Sequence, residues 1–303
     1  MSTGVLPLSP PPDAKRATAI GIACGVAAAA CWATSFVAAR HGVGIGFSAA
    51  DLVLYRFLVS GLILLPLVIR AGLPNLGGIG WRRGIVLAIL GGPVQALASF
   101  TGFTLVPLGH GVVIQPACAT LGGMLAASMF LGERLSVHRI LGALAMVAGL
   151  FAFGVEASTF GLHGIAGDLL FVTAGLLWAS FGIALKIWAI DGPRAAMAVS
   201  TVALLLYVPA HGLFAGYERI LSLPLSENLL QLVVQGLLAA ALPIYLFGRA
   251  ITLLGAGRTA SFTALVPCFA LVIGALTIGE FPSLIQLAGL AIVVVGFRFA
   301  LKP

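Results

Sequence analysis

Apolar residues fill this chain in runs of about 20, parted by short connections that carry charge, glycine or proline, as at Gly72-Leu73-Pro74 and Gly192-Pro193. A helix crossing the hydrocarbon core of a bilayer needs roughly 20 mostly apolar residues. That rule predicts ten membrane helices, over residues 17–39, 49–70, 84–105, 109–131, 136–155, 164–189, 194–216, 227–253, 256–279 and 283–301. The first 16 residues run through Pro10-Pro11-Pro12 and read as a disordered tail. Lys15-Arg16 ahead of an apolar stretch resembles a signal peptide, but the stretch is longer than a signal core and many spans follow, so it reads as a retained first helix.

The pattern is written twice. Trp32-Ala33-Thr34 returns as Trp178-Ala179-Ser180, and Arg40 as Lys186, at a shift of 146. Gly102, Gly109 and Gly111 return as Gly248, Gly255 and Gly257 at the same shift. Gly132-Glu133, Gly142 and Gly149 return as Gly279-Glu280, Gly289 and Gly296 at a shift of 147. Each copy holds an odd number of spans, so the second must enter the bilayer upside down, as in inverted-repeat transporters. The expected fold is an all-α integral membrane protein of ten transmembrane helices, two inverted five-helix repeats around a central cavity. The expected divisions are a cytoplasmic tail over 1–16, a first repeat over 17–155 and a second over 164–302, forming one membrane domain.

Composition agrees. Charged residues make up 8% of the chain, hydrophobic residues 60%, and mean hydropathy is +1.14, where a soluble domain is about a quarter charged. The net charge of +7 is spread along the connections rather than gathered in a patch, which argues against nucleic acid. Placing the N-terminus inside puts Lys15, Arg16, Arg70, Arg82, Arg83, Arg134 and Arg139 of the first copy on the inner face. Lys186, Arg194, Arg249, Arg258, Arg298 and Lys302 of the second join them, leaving only Arg40 and Arg219 outside. Positive residues favour the cytoplasmic side, so both termini are expected in the cytoplasm.

Cys24, Cys31, Cys118 and Cys268 lie singly in apolar runs, and the five histidines sit singly near segment ends. No metal set, nucleophile–base set or phosphate-binding loop is visible, so no catalytic residue, metal or cofactor is expected. The 39 glycines suit close helix packing in lipid, Gly21 and Gly25 forming one GxxxG pair. Pro93, Pro243 and Pro267 fall inside spans and are hinge candidates, or shape a cavity.

Polar residues inside a span are costly and therefore informative. Gln95 and Ser99 share a face of the third span; Gln115 and Cys118 share one in the fourth. Trp32 with Ser35, and Trp178 with Ser180, sit at repeat-related depths; Tyr245 and Arg249 lie four apart in the eighth span; Ser261 and Thr263 precede Pro267. These twelve are the candidate substrate-binding residues. Against that stands a plainer role: Ser and Thr bond their own helix carbonyls, Gln glues helices, and Trp anchors at interfaces. Arg56, inside the second span, either snorkels outward or pairs with Asp51 or a neighbouring helix start. All acidic residues read as lying in the tail, loops or helix ends, so no buried carboxylate is expected for proton coupling.

The run Ala30-Cys31-Trp32-Ala33-Thr34-Ser35-Phe36, then Leu54-Tyr55-Arg56-Phe57-Leu58, then Pro267 with Gly279-Glu280, resembles the EamA family of the drug/metabolite transporter superfamily across nearly the whole chain. The first copy departs in one respect: Pro116 lies earlier relative to Gly132-Glu133 than Pro267 does relative to Gly279-Glu280. The resemblance implies a basket of ten helices with alternating access. It implies export of amino acids or other small metabolites across the bacterial inner membrane, with YddG-type aromatic amino-acid exporters the most similar subgroup. The expected partners are a small-molecule substrate and membrane lipid; a monomer is compatible with this plan, and the sequence does not fix the oligomeric state. The rival readings are a flippase or carrier of lipid-linked or nucleotide sugars, for which phosphate-binding cations are scarce, and an intramembrane enzyme, for which no catalytic set exists.

Overall fold

The structure, a computed structural model, describes residues 12–132, 136–159, 161–254, 259 and 261–300. Thirteen helices follow in order among the described residues: α1 (Pro12–Ile45), α2 (Ala49–Gly72), α3 (Trp81–Gly91), α4 (Pro93–Leu105), α5 (Leu108–Leu131), α6 (Val137–Thr159), α7 (Gly161–Trp188), α8 (Gly192–Phe214), α9 (Glu218–Ser222), α10 (Leu225–Val233), α11 (Leu242–Leu254), α12 (Leu265–Thr277) and α13 (Leu284–Ala300). Short 3-10 segments occupy Leu73–Gly78 and Ser261–Ala264, and a π-helical stretch, Val234–Ala241, joins α10 to α11. Among the described residues, seven helical stretches are long and apolar enough to cross a membrane; Val137–Phe153, Phe262–Thr277 and Leu284–Phe299 are apolar but shorter. Large apolar side chains stand exposed along the helices, among them Leu62, Ile69, Phe130, Phe151, Leu206 and Leu276, as lipid requires.

Three spans expected to be continuous are interrupted, each beside a proline singled out in the sequence. The third divides at Gly92, whose φ of −119° and ψ of −136° leave the helix; a Cβ there would lie 2.3 Å from the Ala88 carbonyl oxygen. Pro93 then opens α4 at the first turn, where its missing N–H costs nothing. In the eighth span the π-helical stretch ends just before Pro243. In the ninth, the 3-10 turn Ser261–Ala264 precedes Pro267, so the α-helix proper starts at Leu265 rather than near 256, and residues 255–258 and 260 lie outside the described residues.

Helix ends have local causes. Ser48 and Asp51 form a capping box at the start of α2, and Asp191 accepts from Arg194 N–H at the start of α8. The repeat-related Gly132 and Gly279 both turn the chain at positive φ, 66° and 69°, where a side chain would be strained.

Helices matched by the sequence duplication pack on one another antiparallel. α6 crosses α13 with Gly149 against Gly289 and Gly142 against Gly296; Cβ atoms at Gly149 and Gly296 would lie 2.7 and 2.8 Å from the carbonyl oxygens of Gly289 and Gly142. α2 runs against α8: Gly61 meets the Ser200 carbonyl, the Tyr207 hydroxyl donates to the Ala50 carbonyl, and His211 meets Asp51. The remaining pairings exchange under the same swap. α7 packs on α4 and α5; α1 packs on α11 and α12.

Candidate functional site

Polar side chains concentrate toward one end of the bundle, where α1 ends and α2, α5 and α10 begin. Arg40 Nε donates to Glu280 (2.6 Å) and its Nη1 to the Phe103 carbonyl (2.6 Å), while the second Glu280 oxygen accepts from the Leu108 N–H at the head of α5 (2.8 Å). His41 meets Glu227 at 3.0 Å. The Tyr55 hydroxyl donates to Asn228, whose amide ties back to the carbonyls of Ile220, Leu223 and Pro224. A cleft of about 280 Å³ opens at this end, bounded by Pro107, Leu108, Phe281 and Gln286; none of the twelve candidate residues lines it.

Two expectations about titratable residues are corrected here. Asp51 is only 3% exposed, held by Ser48 and by His211 at 3.0 Å, and Asp168 sits two turns into α7, bonded to fully buried His110 at 2.8 Å. One carboxylate is therefore buried and another partly so, and the exclusion of carboxylate coupling loses its basis. Asp168 seemed terminal because the helix was expected to begin at 164 rather than Gly161. Nor do all the histidines stand singly: His41, His110 and His211 each face a carboxylate. No group of three or more potential metal ligands occurs among the described residues.

Inward from these pairs lie two buried polar groupings. Between α4 and α5 the Ser99 hydroxyl donates to Gln115 Oε1 at 2.7 Å, joining two candidates, with Gln95 buried one turn before Ser99. Cys118 is buried against α7, where a Cβ at Gly175 would lie 2.5 Å from the Gln115 carbonyl and 2.8 Å from Cys118 Cβ. The second grouping joins α1, α2, α10 and the π-helical stretch. Arg56 Nη2 donates to Gln235 Oε1 (2.7 Å), Gln235 Nε2 donates to the Ser35 carbonyl (3.0 Å), and Gln231 Nε2 donates to the Ala38 carbonyl (2.7 Å). The Arg56 guanidinium also lies 4.7 Å over the Phe100 ring, next to Ser99 in sequence. Arg56 thus pairs with Gln235, not with Asp51.

Other candidates disperse. The hydroxyls of Ser35 and Ser180 bond their own helices, to the carbonyls of Trp32 and Leu176. Trp32 packs on Phe247 with ring centroids 5.3 Å apart, whereas its counterpart Trp178 stacks on Phe181 and is 47% exposed. Two residues along a helix turn about 200°. Tyr245 and Arg249, two either side of Phe247, consequently point away from Trp32 and are exposed. Thr263 is partly buried in the 3-10 turn; the Ser261 side chain lies outside the described residues. Gln231 and Gln235, both fully buried, escaped the sequence reading. Their spacing of four in an apolar run, the same as that of Gln95 and Ser99, was the available signal.

The profile of the EamA-like transporter family matches residues 19–155 and again 165–301, covering most of the chain in two copies. The chain belongs to the EamA-like transporter family. It is accordingly a multi-pass membrane transporter. This EamA-type chain is 25% identical to the uncharacterized transporter YdfC of Bacillus subtilis over 88% of its own length and 86% of the relative's. It is 29% identical to a probable terminal-alkyne amino-acid exporter of Streptantibioticus cattleyicolor, over 88% of each. One solved protein structure superposes with a TM-score of 0.61 at 18% identity, over 94% of this chain and 96% of its own, a likeness of fold.

Proposed function

We propose that this EamA-type transporter exports amino acids, aromatic ones among them, or similar small metabolites across a bacterial inner membrane. It does so by alternating access between two inverted five-helix halves, with ten membrane crossings and both termini in the cytoplasm. The observation that carries the reading is the antiparallel packing of duplicated helices, α6 on α13 and α2 on α8. Equivalent segments meeting head to tail are what an inverted repeat demands, and such a pair can rock about its own seam. The amino-acid substrate is supported by the relative named as a probable amino-acid exporter. It is also supported by four neutral side chains among the buried polar residues, Ser99, Gln115, Gln231 and Gln235, which suit a solute with one amino and one carboxyl group. A sugar phosphate or lipid-linked sugar would call for several inward cations, and Arg249 is on the exposed side of α11. Hinges at Pro93, Pro243 and Pro267 are supported by the breaks at Gly92, before Pro243 and before Pro267, since helix hydrogen bonding is already interrupted there. The test is uptake of radiolabelled amino acids into proteoliposomes. Transport above that of empty liposomes is expected, and its absence for every amino acid tried overturns the reading.

A further inference from the structure

A permanently charged side chain inside a membrane span must be compensated, and an ion pair is the usual means. Arg56 lies about 10 Å, seven residues, beyond the start of α2. Its contacts among the described residues are one neutral amide oxygen, on Gln235, and one aromatic face, on Phe100. Its Nε is buried with no acceptor among the described residues. The nearest acid in the sequence, Asp51, is committed to Ser48 and His211. Gln235 is itself fixed by the Ser35 carbonyl and lies 3.5 Å from the Gln231 oxygen. The π-helical stretch that begins at Val234 sets where Gln235 projects, and such stretches gather at functional sites. The result is a positioned fork of donors with a full positive charge, partly satisfied and without a counter-ion among the described residues. Carboxylates fit such a fork with two parallel hydrogen bonds.

We propose that Arg56 is the anchoring group for a carboxylate on the transported solute, with Gln235 holding the guanidinium in place and Phe100 covering one of its faces. The substrate class is then small organic acids, amino acids included, in their carboxylate form. This deepens the amino-acid reading and rests on it for the choice of probes.

The experiment uses the full chain in proteoliposomes and compares L-phenylalanine with L-phenylalaninamide, which lacks only the carboxylate. Wild type is expected to move the acid at least tenfold better than the amide. Arg56→Gln should bring that ratio to near one with a raised KM for the acid, and Arg56→Lys should restore part of it. A purely structural Arg56 would lower both rates together and leave the ratio intact, which would overturn the proposal, as would equal transport of acid and amide by wild type. Where Arg56→Gln does not fold, the ratio measured on Arg56→Lys and Gln235→Leu decides in the same way. Should wild type move no amino acid, the proposed function falls, and the anchoring role is read separately by thermal shift with 3-phenylpropionate against 3-phenylpropanamide. Stabilisation by the acid alone, lost in Arg56→Gln, supports the role; equal or no stabilisation by the two overturns it.

Discussion

At the scale of single residues, the buried amides carry the testable chemistry. Replacing Gln235 with Leu strips Arg56 of its acceptor and leaves charge buried beside an apolar group. Losing a partner in this way is expected to cost about 1–3 kcal/mol, read as a lowered unfolding temperature in detergent. Ser99→Ala removes a donor to Gln115 and should cost about 1 kcal/mol by the same measurement. Gly175→Ala is expected to be worse than its size suggests. The added methyl would lie 2.5 Å from the Gln115 carbonyl oxygen, a backbone atom that cannot swing aside, so α5 and α7 must part at a cost of about 1–3 kcal/mol. Polar residues at four-residue spacing were visible in the chain, and Ser99 with Gln115 did come together. The sequence could not rank them, because burial depends on which helix lies opposite. Tyr245 and Arg249 have the same spacing as Gln231 and Gln235, yet α1 covers one pair of positions and not the other.

At the scale of the element, hydrophobic run length located most helices to within a few residues, because a bilayer tolerates little else; the exceptions are α1, which runs Pro12–Ile45 beyond the expected 17–39 and into the stretch expected as tail, and α12, which starts at Leu265 rather than near 256. The interruptions were less legible. Pro93, Pro243 and Pro267 marked their places, but a proline does not say whether the helix kinks, tightens into a 3-10 turn or widens into a π-helix. Gly92 decides the first case by adopting angles no helix contains. Gly92→Ala is expected to force the junction of α3 and α4 to rearrange, since its Cβ would sit 2.3 Å from the Ala88 oxygen. Transport by this variant should fall at least tenfold while Pro93→Ala, at a tolerant first-turn position, keeps most of its activity. Equal activity of both variants in the proteoliposome assay would show that the break is not a hinge.

At the scale of the whole molecule, duplication was the most legible feature, because glycines and Trp-Ala-Thr/Ser recur at nearly constant shifts. What the duplication left hidden was the bonding between copies. Arg40, Glu280 and the Leu108 N–H tie α1, the start of α5 and the connection after α12 into one closure at a single end. Under the cytoplasmic placement of both termini that end faces outward. Arg40→Ala or Glu280→Gln is then expected to speed labelling of Cys118 by an impermeant maleimide added outside, in a chain whose other cysteines are alanine. An unchanged rate would mean that the closure does not gate access. Finally, the seam of Gly142, Gly149, Gly289 and Gly296 is a surface that recognises its own copy with the direction reversed. The two halves, expressed as separate polypeptides, should still find each other and co-purify.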